Sequence, residues 1–152
     1  MVKLQDRFVQ FWQRSKDENQ SRMTFYAHVT QDQPYAIEPY LLVCEKHKHR
    51  KALCRLRISA HDLQIERGRY ANVAKEDRKC RTCSVVEDEL HFLNDCTRYD
   101  LLRKRLLDNP SVRDLCSEET VKDNYKPSDL LRNHKAQAYL AEYVYNCMSL
   151  HS

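Results

Sequence analysis

Residues 80–96 read CRTCSVVEDELHFLNDC, and this stretch carries the strongest structural signal in the chain. It contains Cys80, Cys83, His91 and Cys96 in the spacing Cys-x2-Cys-x7-His-x4-Cys. Three thiolates and one imidazole make the closed tetrahedral ligand set that a structural zinc ion requires. Because four protein ligands leave no position for water, the spacing does not favour a catalytic zinc ion. The sequence therefore predicts one structural Zn²⁺ as the cofactor.

Two other interpretations of these cysteines stay open. Cys80 and Cys83 have the spacing of a redox pair, but a thioredoxin-type pair follows a strand, and no strand pattern precedes this one. Alternatively, the four side chains are unrelated buried residues. A zinc deaminase is not indicated, because Lys79 rather than proline precedes Cys80 and no His-x-Glu occurs in the sequence. Structural zinc is the favoured interpretation.

The residues between the second cysteine and the histidine predict a short helix at 88–95. The three acidic residues 87–89 would lie at its first turn, where they interact favourably with the helix dipole. Cys96 follows His91 by five residues, about 140° around an ideal helix, so the two can meet only if the helix ends there. Thr97, a predicted N-cap of the next helix, is consistent with such an ending.

The composition favours helix throughout the chain. Its 152 residues include one glycine and four prolines, too few for a protein built of tight turns, while Leu, Arg, Lys, Glu and Gln are abundant. We therefore expect a mainly α fold, a small helical domain organised around one zinc knuckle with little or no sheet. The predicted segments are an N-terminal helical segment at 1–44, a basic helix plus zinc-binding module at 45–108, and a C-terminal helical extension at 109–152.

Apolar periodicity and turn signals place the individual helices. The most distinct helix covers 47–59, with Leu53, Leu56 and Ala60 on its apolar face. Gly68, the only glycine, predicts a turn, because glycine is usually needed for positive φ or close backbone approach. The other predicted segments are a helix at 2–16, a short apolar piece at 23–29, and helices at 37–44 beginning near Pro39, at 98–108 with Thr97 and Asp100 as a capping box, at Ser117–Val121, from Ser128, and at 134–150.

Positive charge is concentrated immediately before the metal ligands. The net charge of the chain is +4, but Lys46–Arg81 contains twelve Lys and Arg against four Asp and Glu, a local charge of +8. Such a segment would neutralise the phosphates of RNA or DNA. A solvated helix face is the common alternative for a run of charges. The predicted nucleic-acid contacts are Lys46, Lys48, Arg50, Lys51, Arg55, Arg57, Arg67, Arg69, Lys79 and Arg81.

Neither secretion nor membrane insertion is expected. Met1–Gln20 is interrupted by charged residues, and no stretch approaches the roughly 18 apolar residues that a membrane span needs. Seven cysteines without a secretory signal indicate a reducing compartment rather than a disulfide framework. The expected location is therefore intracellular, in the nucleus or cytoplasm, with no membrane contact.

The central part of the chain resembles a known family. The run ALCRLRISAHDLQIERGRY at 52–70, then RKCRTC and VEDELHFLNDCTRYDLLRKRLL, is similar to the zinc-binding segment near the C-terminal end of non-LTR retrotransposon reverse transcriptases. The resemblance covers residues 45–108 and rests on the order of its Leu-Arg-x-Ser-x-His, Gly-Arg and Cys-Cys-His-Cys blocks. It implies that Cys80, Cys83, His91 and Cys96 bind the metal. It also implies a segment that grips template RNA or target DNA beside a polymerase.

The motifs for catalysis are missing from the sequence. Two-metal nucleotidyl transfer needs carboxylates such as those of Tyr-x-Asp-Asp, and the chain has neither this motif nor room for a palm domain. We therefore expect no enzyme activity and no small-molecule substrate, but a module that binds RNA or DNA. The alternatives are a structural or protein-interaction zinc module, with a partner surface at Tyr139, Tyr143 and Tyr145 of the C-terminal helix, and a retroelement remnant without selected function.

A second metal site is a weaker alternative. Its ligands would come from Cys44, His47, His49, Cys54 and His61. These spacings match no regular zinc finger. His61 is expected instead to make a buried hydrogen bond or a contact at a helix end.

Overall fold

Helices supply nearly all the regular structure in the computed structural model, which describes residues 9–11, 13–14, 24–29, 37–117 and 125–151. The α-helices of 24–151 in these ranges are α1 (Thr24–Val29), α2 (Pro39–Val43), α3 (His47–Arg57), α4 (Gln64–Tyr70), α5 (Asp100–Leu107), α6 (Pro110–Ser117) and α7 (Gln137–His151). Short 3₁₀ turns cover Lys75–Asp77, Thr97–Tyr99 and Pro127–Leu131, and a π-helical turn covers His91–Asp95. Within the described ranges the only β pairing is one antiparallel bridge between Lys79 and Val86. The predicted mainly α fold is confirmed.

The core is built around the packing of α3 against α7, which share the most extensive contact of any two described elements. Leu53 and Leu56 of α3 are fully buried, as are Leu140 and Val144 of α7. Their spacing of three or four residues puts each pair on one helix face. Burying one such side chain stabilises the fold by about 1.5–3 kcal/mol. Because these helices come from 45–108 and 109–152, the core crosses the boundary between two predicted segments.

Several predicted helices are found close to their expected positions. The helix at 47–59 is α3, the helix at 134–150 is α7, and the helix at 37–44 begins at Pro39 as α2. The helix at 98–108 is divided into the turn Thr97–Tyr99 and α5.

Two predictions fall largely outside the described residues. Of the helix at 2–16 only 9–11 and 13–14 are described, and these are helical; of Ser117–Val121 only Ser117 is described, and it ends α6.

Helix α6 was not predicted, although its start has a clear sequence signal. The side-chain oxygen of Asn109 accepts a hydrogen bond from the Ser111 amide at 2.9 Å, which is the interaction of an N-cap. Pro110 then occupies the first helical position, where its missing N–H costs nothing. The dipeptide Asn109-Pro110 was correctly predicted to end α5. It also begins α6, and the fully buried Val112 fixes that helix to the core.

The predicted turn at Gly68 is wrong, because this glycine lies inside α4 and does not have positive φ. The close-approach part of the argument is correct. A Cβ at Gly68 would lie 2.5 Å from Cγ and 2.8 Å from Cδ of Arg78. The Arg78 side chain is fixed at its far end, since its guanidinium donates hydrogen bonds of 2.9 Å to the carbonyl oxygens of Val73 and Ile65. Gly68 therefore makes room for an arginine that crosses the helix.

None of the helices in the described part of the chain combines the length and the apolar character that crossing a lipid bilayer requires.

The contact between Gly68 and Arg78 generates the first prediction. In an unobstructed helix alanine is favoured over glycine by about 1 kcal/mol. Here the overlap with Arg78 should outweigh that preference, so Gly68→Ala should lower the free energy of unfolding by about 1–3 kcal/mol. In an Arg78→Ala background the same substitution should instead raise it. Chemical denaturation of the four proteins in a double-mutant cycle measures both effects. The same sign in both backgrounds would rule out the contact as the reason for glycine.

Candidate metal centre and basic groove

The four predicted ligands converge in the structure. Their ligand atoms all lie within 4.8 Å of one another. The Sγ atom of Cys96 is 3.8 Å from that of Cys80 and 3.9 Å from that of Cys83. A tetrahedral centre with metal–sulfur bonds of about 2.3 Å separates its sulfur atoms by about 3.8 Å. The cluster of Cys80, Cys83, His91 and Cys96 could therefore hold a metal ion.

A tight turn presents the first two cysteines. The Ser84 amide donates to the Cys80 carbonyl oxygen at 2.8 Å, and the Cys80 amide donates to the Val85 carbonyl oxygen at 2.7 Å. Ser84 adopts a φ of 59°, the left-handed conformation that lets the chain reverse immediately after Cys83. The turn thus directs both sulfur atoms to one side.

A π-helical turn presents the other two ligands. The Cys96 amide donates to the His91 carbonyl oxygen at 2.8 Å, so the hydrogen bond spans five residues instead of four. This wider turn brings Cys96 back beside His91, which a regular α-helix would not do. The helix also ends there, since Cys96 has an extended ψ of 118°. The predicted helix end is correct, whereas the change from α to π geometry was not foreseen.

The prediction that Thr97 is the N-cap of the helix after the π turn is wrong. Cys96, not Thr97, precedes the 3₁₀ turn, and neither that turn nor α5 has a side-chain N-cap hydrogen bond. The hydroxyl oxygen of Thr97 lies 3.4 Å from Sγ of Cys83 instead. Asp88 caps the start, where its carboxylate accepts the His91 amide at 2.8 Å. Thr97 therefore contacts the candidate ligand Cys83, and Asp88 caps the turn that carries His91 and Cys96.

The chemistry of the ligand atoms fits a bound cation. Burial raises the pKa of the Cys96 thiol to about 12, with a further contribution from Cys80 beside it. A hydrogen bond with Thr97 lowers the pKa of Cys83. Nε2 of His91 is buried and finds no hydrogen-bond partner among the described residues. A buried ring nitrogen without a partner is costly, and a bound dication would satisfy the imidazole and stabilise the thiolates together.

Two side chains hold the π turn from outside. The guanidinium of Arg103 donates to the Leu93 carbonyl oxygen at 3.1 Å and to the Cys96 carbonyl oxygen at 2.7 Å. The hydroxyl of Tyr143 donates to the same Leu93 oxygen at 2.9 Å. These bonds satisfy carbonyl groups that a helix end leaves without intrahelical partners. Because Tyr143 is buried in this contact, it is not part of an exposed tyrosine surface on the C-terminal helix.

A buried carboxylate joins the ligand-bearing turn to the end of α3. Oε1 of Glu89 accepts the Ser59 hydroxyl at 2.7 Å and lies 3.0 Å from Nε2 of His61. Burial acts to raise the pKa of Glu89, but the hydrogen bonds from His61 and Ser59 oppose it, and the resulting pKa lies below its ordinary value. The expected buried hydrogen bond of His61 is confirmed. The role of Glu89 was missed, because its partners are about thirty residues away in the sequence.

Ser59 occupies a position where glycine is usual. It follows the last turn of α3 with a φ of 53°, and the Ala60 amide donates to the Arg55 carbonyl oxygen at 2.8 Å. This is the Schellman arrangement of a helix C-terminus. A side chain in the left-handed conformation is unfavourable, but only a side chain can reach Glu89. The hydrogen bond to Glu89 is the structural reason for serine here.

Arg57 does not lie on the surface that the sequence assigned to nucleic acid. Its side chain is 2% exposed, and its guanidinium donates to Oε2 of Glu38 at 2.7 Å. The same guanidinium lies 5.3 Å from the ring centroid of Tyr40. We therefore remove Arg57 from the predicted interface. The sequence placed Arg57 on the cationic side of the helix, and this is wrong, because the residue is buried and paired with Glu38 through packing that periodicity does not reveal.

Five of the ten predicted cations line one groove. Its volume is about 610 Å³, and we call it the basic groove. Its residues are Lys48, Lys51, Ala52, Arg55, His61, Asp62, Arg67, Arg81, Tyr145, Met148, Ser149 and His151. Among these described residues Asp62 is the one carboxylate, 3.8 Å from Arg55. Arg81 belongs to the turn between Cys80 and Cys83, so the turn that carries two candidate metal ligands forms part of the groove wall. The sequence did not predict that α7 would line this groove with Tyr145, Met148, Ser149 and His151.

The remaining predicted cations lie outside the basic groove. Lys46 and Lys79 are exposed elsewhere on the surface. Arg50 is half-buried and donates to the Leu41 carbonyl oxygen at 3.4 Å. Arg69 forms an ion pair of 2.6 Å with Glu66. The ten predicted cations are therefore divided between the basic groove and other parts of the surface or interior.

The second metal site is not assembled. In the described parts of the chain, Cys80, Cys83, His91 and Cys96 are the one group of three or more such side chains placed to hold an ion. The Cys44 thiol instead donates to the Gln137 carbonyl oxygen at 3.7 Å.

Comparison with known proteins finds no relative: no protein-family model, curated protein or solved structure matches the chain. The resemblance to the zinc-binding segment of reverse transcriptases stays a prediction from the residues that carry it.

Ser59 and Ser84 both have the left-handed backbone conformation, but only Ser59 has a hydrogen bond to Glu89. Ser59→Gly relieves a backbone strain of about 1–2 kcal/mol but removes a hydrogen bond to a carboxylate worth about 1.5–3 kcal/mol. We expect a net loss of about 1 kcal/mol in the free energy of unfolding. Ser84→Gly, at an exposed position with the same conformation, should instead stabilise the protein by about 1–2 kcal/mol. Chemical denaturation measures both. Equal effects at the two positions would show that the Ser59–Glu89 bond adds nothing.

Proposed function

We propose that this chain is a non-catalytic zinc-binding module that binds RNA or DNA through the basic groove. We further propose that it is related to, or derived from, the zinc-binding segment of a non-LTR retrotransposon reverse transcriptase. The observation that carries the proposal is the position of Arg81. This cation lies between two metal ligands and meets the cations of α3 and α4 in one groove.

Zinc is the metal that best fits the ligand set. Three thiolates and one imidazole are soft and borderline donors, and zinc accepts them in tetrahedral geometry. The sulfur separations of 3.8 and 3.9 Å agree with that geometry. Since four side chains complete the coordination sphere, the ion would cross-link the 80–83 turn to the π turn rather than activate water. The residues that would hold it are Cys80, Cys83, His91 and Cys96.

Nucleic acid is the partner that the charge of the groove favours. Solvated cations along a single helix are common and need no ligand. Here the cations come from α3, α4 and the 80–83 turn, and they converge on one concave surface. Converging cations concentrate positive potential, which attracts phosphates and releases counterions on binding. Arg and Lys contacts of this kind position a backbone without identifying bases.

A protein-interaction module that uses the tyrosines of the C-terminal helix is less well supported than a nucleic-acid-binding module. The C-terminal helix α7 packs along α3 and supplies part of the core. Of its three tyrosines, Tyr143 is buried and Tyr145 lines the basic groove, while Tyr139 is half-buried against the core. A structural zinc module would retain the metal centre and lack affinity for nucleic acid. None of the seven cysteines forms a disulfide, which supports the proposed location in the nucleus or cytoplasm.

Metal content tests the first half of the proposal. The purified protein should contain one zinc ion per chain, measured by elemental analysis, because the described residues form one such cluster. Cys83→Ser should lose the metal and much of the helical circular dichroism, since ligand loss uncouples the two turns. Cys116→Ser removes a thiol outside the cluster and should retain both. Equal thermal stability with and without a strong chelator would contradict a structural zinc ion.

Charge removal in the groove tests the second half. Lys51 and Arg67 are exposed groove residues, whereas Arg55 is already paired with Asp62. The double variant Lys51→Ala/Arg67→Ala should weaken binding of RNA and DNA and reduce the slope of log K against log salt by about 2. Lys104→Ala/Arg105→Ala removes the same charge from exposed positions of α5 outside the groove and should change the slope less. Electrophoretic shift titrations give both values. No retardation of any nucleic acid at low salt would exclude the binding function.

A further inference from the structure

We infer that the basic groove accepts a single strand of RNA or DNA rather than a duplex, with one base stacked on Tyr145. This inference rests on the function proposed above and adds to it the strandedness of the ligand and the residue that contacts the base.

The two walls of the groove differ in chemistry. Lysine and arginine side chains come from α3, α4 and the 80–83 turn, whereas α7 contributes Tyr145 and Met148, together with Ser149 and His151. Phosphates bind to the first kind of surface and base faces to the second. A ligand that uses both walls must expose its backbone and its bases side by side.

The size and shape of the groove favour a single strand. Its volume of about 610 Å³ lies in the range of sites that enclose small molecules, which suits one or two nucleotides. A duplex keeps its bases stacked inside and presents phosphates outward, so it could reach the cationic wall only. A single strand can turn a base out of its stack and place it on an aromatic ring. Only the single strand therefore engages both walls.

Tyr145 is held in place and its face is covered by an exchangeable group. Its ring centroid lies 5.2 Å from that of the buried His49, with an interplanar angle of 39°. Nζ of the exposed Lys48 lies 4.6 Å from the same centroid. A cation–π contact at an exposed site is weaker than stacking of a base on an aromatic ring. A phosphate also attracts an ammonium more strongly than a ring does. Binding would therefore move Lys48 from the ring to a phosphate and let a base take its place.

The α7 wall offers little for reading base identity. Besides the Tyr145 hydroxyl, its polar side chains are Ser149 and His151, and both already have partners. The Ser149 hydroxyl donates to the Tyr145 carbonyl oxygen at 2.9 Å, and Nδ1 of His151 lies 2.8 Å from the Tyr99 hydroxyl. Stacking tolerates every base, because each has a π face. Binding should consequently depend on the presence of a base and only weakly on which base it is.

The decisive measurement compares four labelled ligands of equal length on the wild-type protein. They are single-stranded RNA, single-stranded DNA, a DNA duplex, and a DNA strand of abasic sites that keeps every phosphate. Either single strand with bases should bind about tenfold more tightly than the abasic strand or the duplex in anisotropy titrations. Comparing the affinities for single-stranded RNA and single-stranded DNA shows which of the two nucleic acids the groove prefers. Equal affinity for the abasic strand, or for the duplex, would overturn the inference and leave nucleic-acid binding intact. Failure of all four to bind at low salt would overturn the proposed function itself.

Variants of Tyr145 assign the effect to this ring. Tyr145→Phe keeps the flat face and should bind as the wild type does. Tyr145→Leu keeps apolar bulk without a flat face, so it should lose most of the roughly tenfold preference for bases over abasic sites, with an unchanged salt slope. Tyr70→Leu removes an exposed tyrosine outside the groove and should keep the preference. Thermal unfolding checks that each variant folds, and if Tyr145→Leu does not, the wild-type comparison of ligands decides alone. A Tyr145→Leu protein that folds and keeps the full preference would overturn the assignment.

Discussion

The hydrogen bond from the Cys96 amide to the His91 carbonyl oxygen sets the geometry on which the surrounding structure depends. It widens one turn of the helix, and the side chains and carbonyl groups of that turn contact several other elements of the structure. His91 belongs to the group of side chains that could hold a metal ion, and the Leu93 carbonyl oxygen accepts hydrogen bonds from Arg103 and Tyr143. The Asn94 side chain exchanges two hydrogen bonds with Ser128, of 3.0 and 3.1 Å, and so fixes the 3₁₀ turn at Pro127–Leu131. Single π turns cost regular hydrogen bonding and are typically found where function requires them.

Two connections link this turn to the basic groove. One passes through Glu89, which holds Ser59 and His61 at the end of α3 and thereby fixes the helix that carries Lys51 and Arg55. The other passes through the metal ligands to Arg81 on the 80–83 turn. In the proposed function the ion would therefore act on nucleic acid indirectly, by fixing the 80–83 turn relative to α3 within the cationic wall of the groove. A zinc ion with three thiolates carries a net charge near −1, so it would also offset part of the repulsion that Arg81 adds to the groove.

The sequence predicted the parts of this arrangement that depend on short-range spacing. The ligand set, α3 with its buried Leu53 and Leu56, and the end of the helix before Cys96 all follow from local patterns. The missed features depend on pairs that are distant in sequence, such as Arg57 with Glu38 and Tyr143 with Leu93. Periodicity marks a face as polar or apolar but does not identify its partner. Gly68 shows the same limit, because the arginine that requires it lies ten residues further along the chain.

The buried polar contacts also explain why so much charge lies inside a small helical protein. The Arg57–Glu38 ion pair has side chains that are 2% and 22% exposed, and the contact between His61 and Glu89 has side chains that are 1% and 10% exposed. Removing the charges of an ion pair from water offsets much of its attraction. Apolar replacements of similar size would hold the helices together at least as well. They would not, however, fix the rotation and register of α3 against the ligand-bearing turn, because apolar contacts are not directional. A metal cluster tolerates errors of only a few tenths of an ångström in its ligand positions. Directional contacts such as the Glu89 hydrogen bonds therefore contribute more to placing the ligands than to the stability of the core.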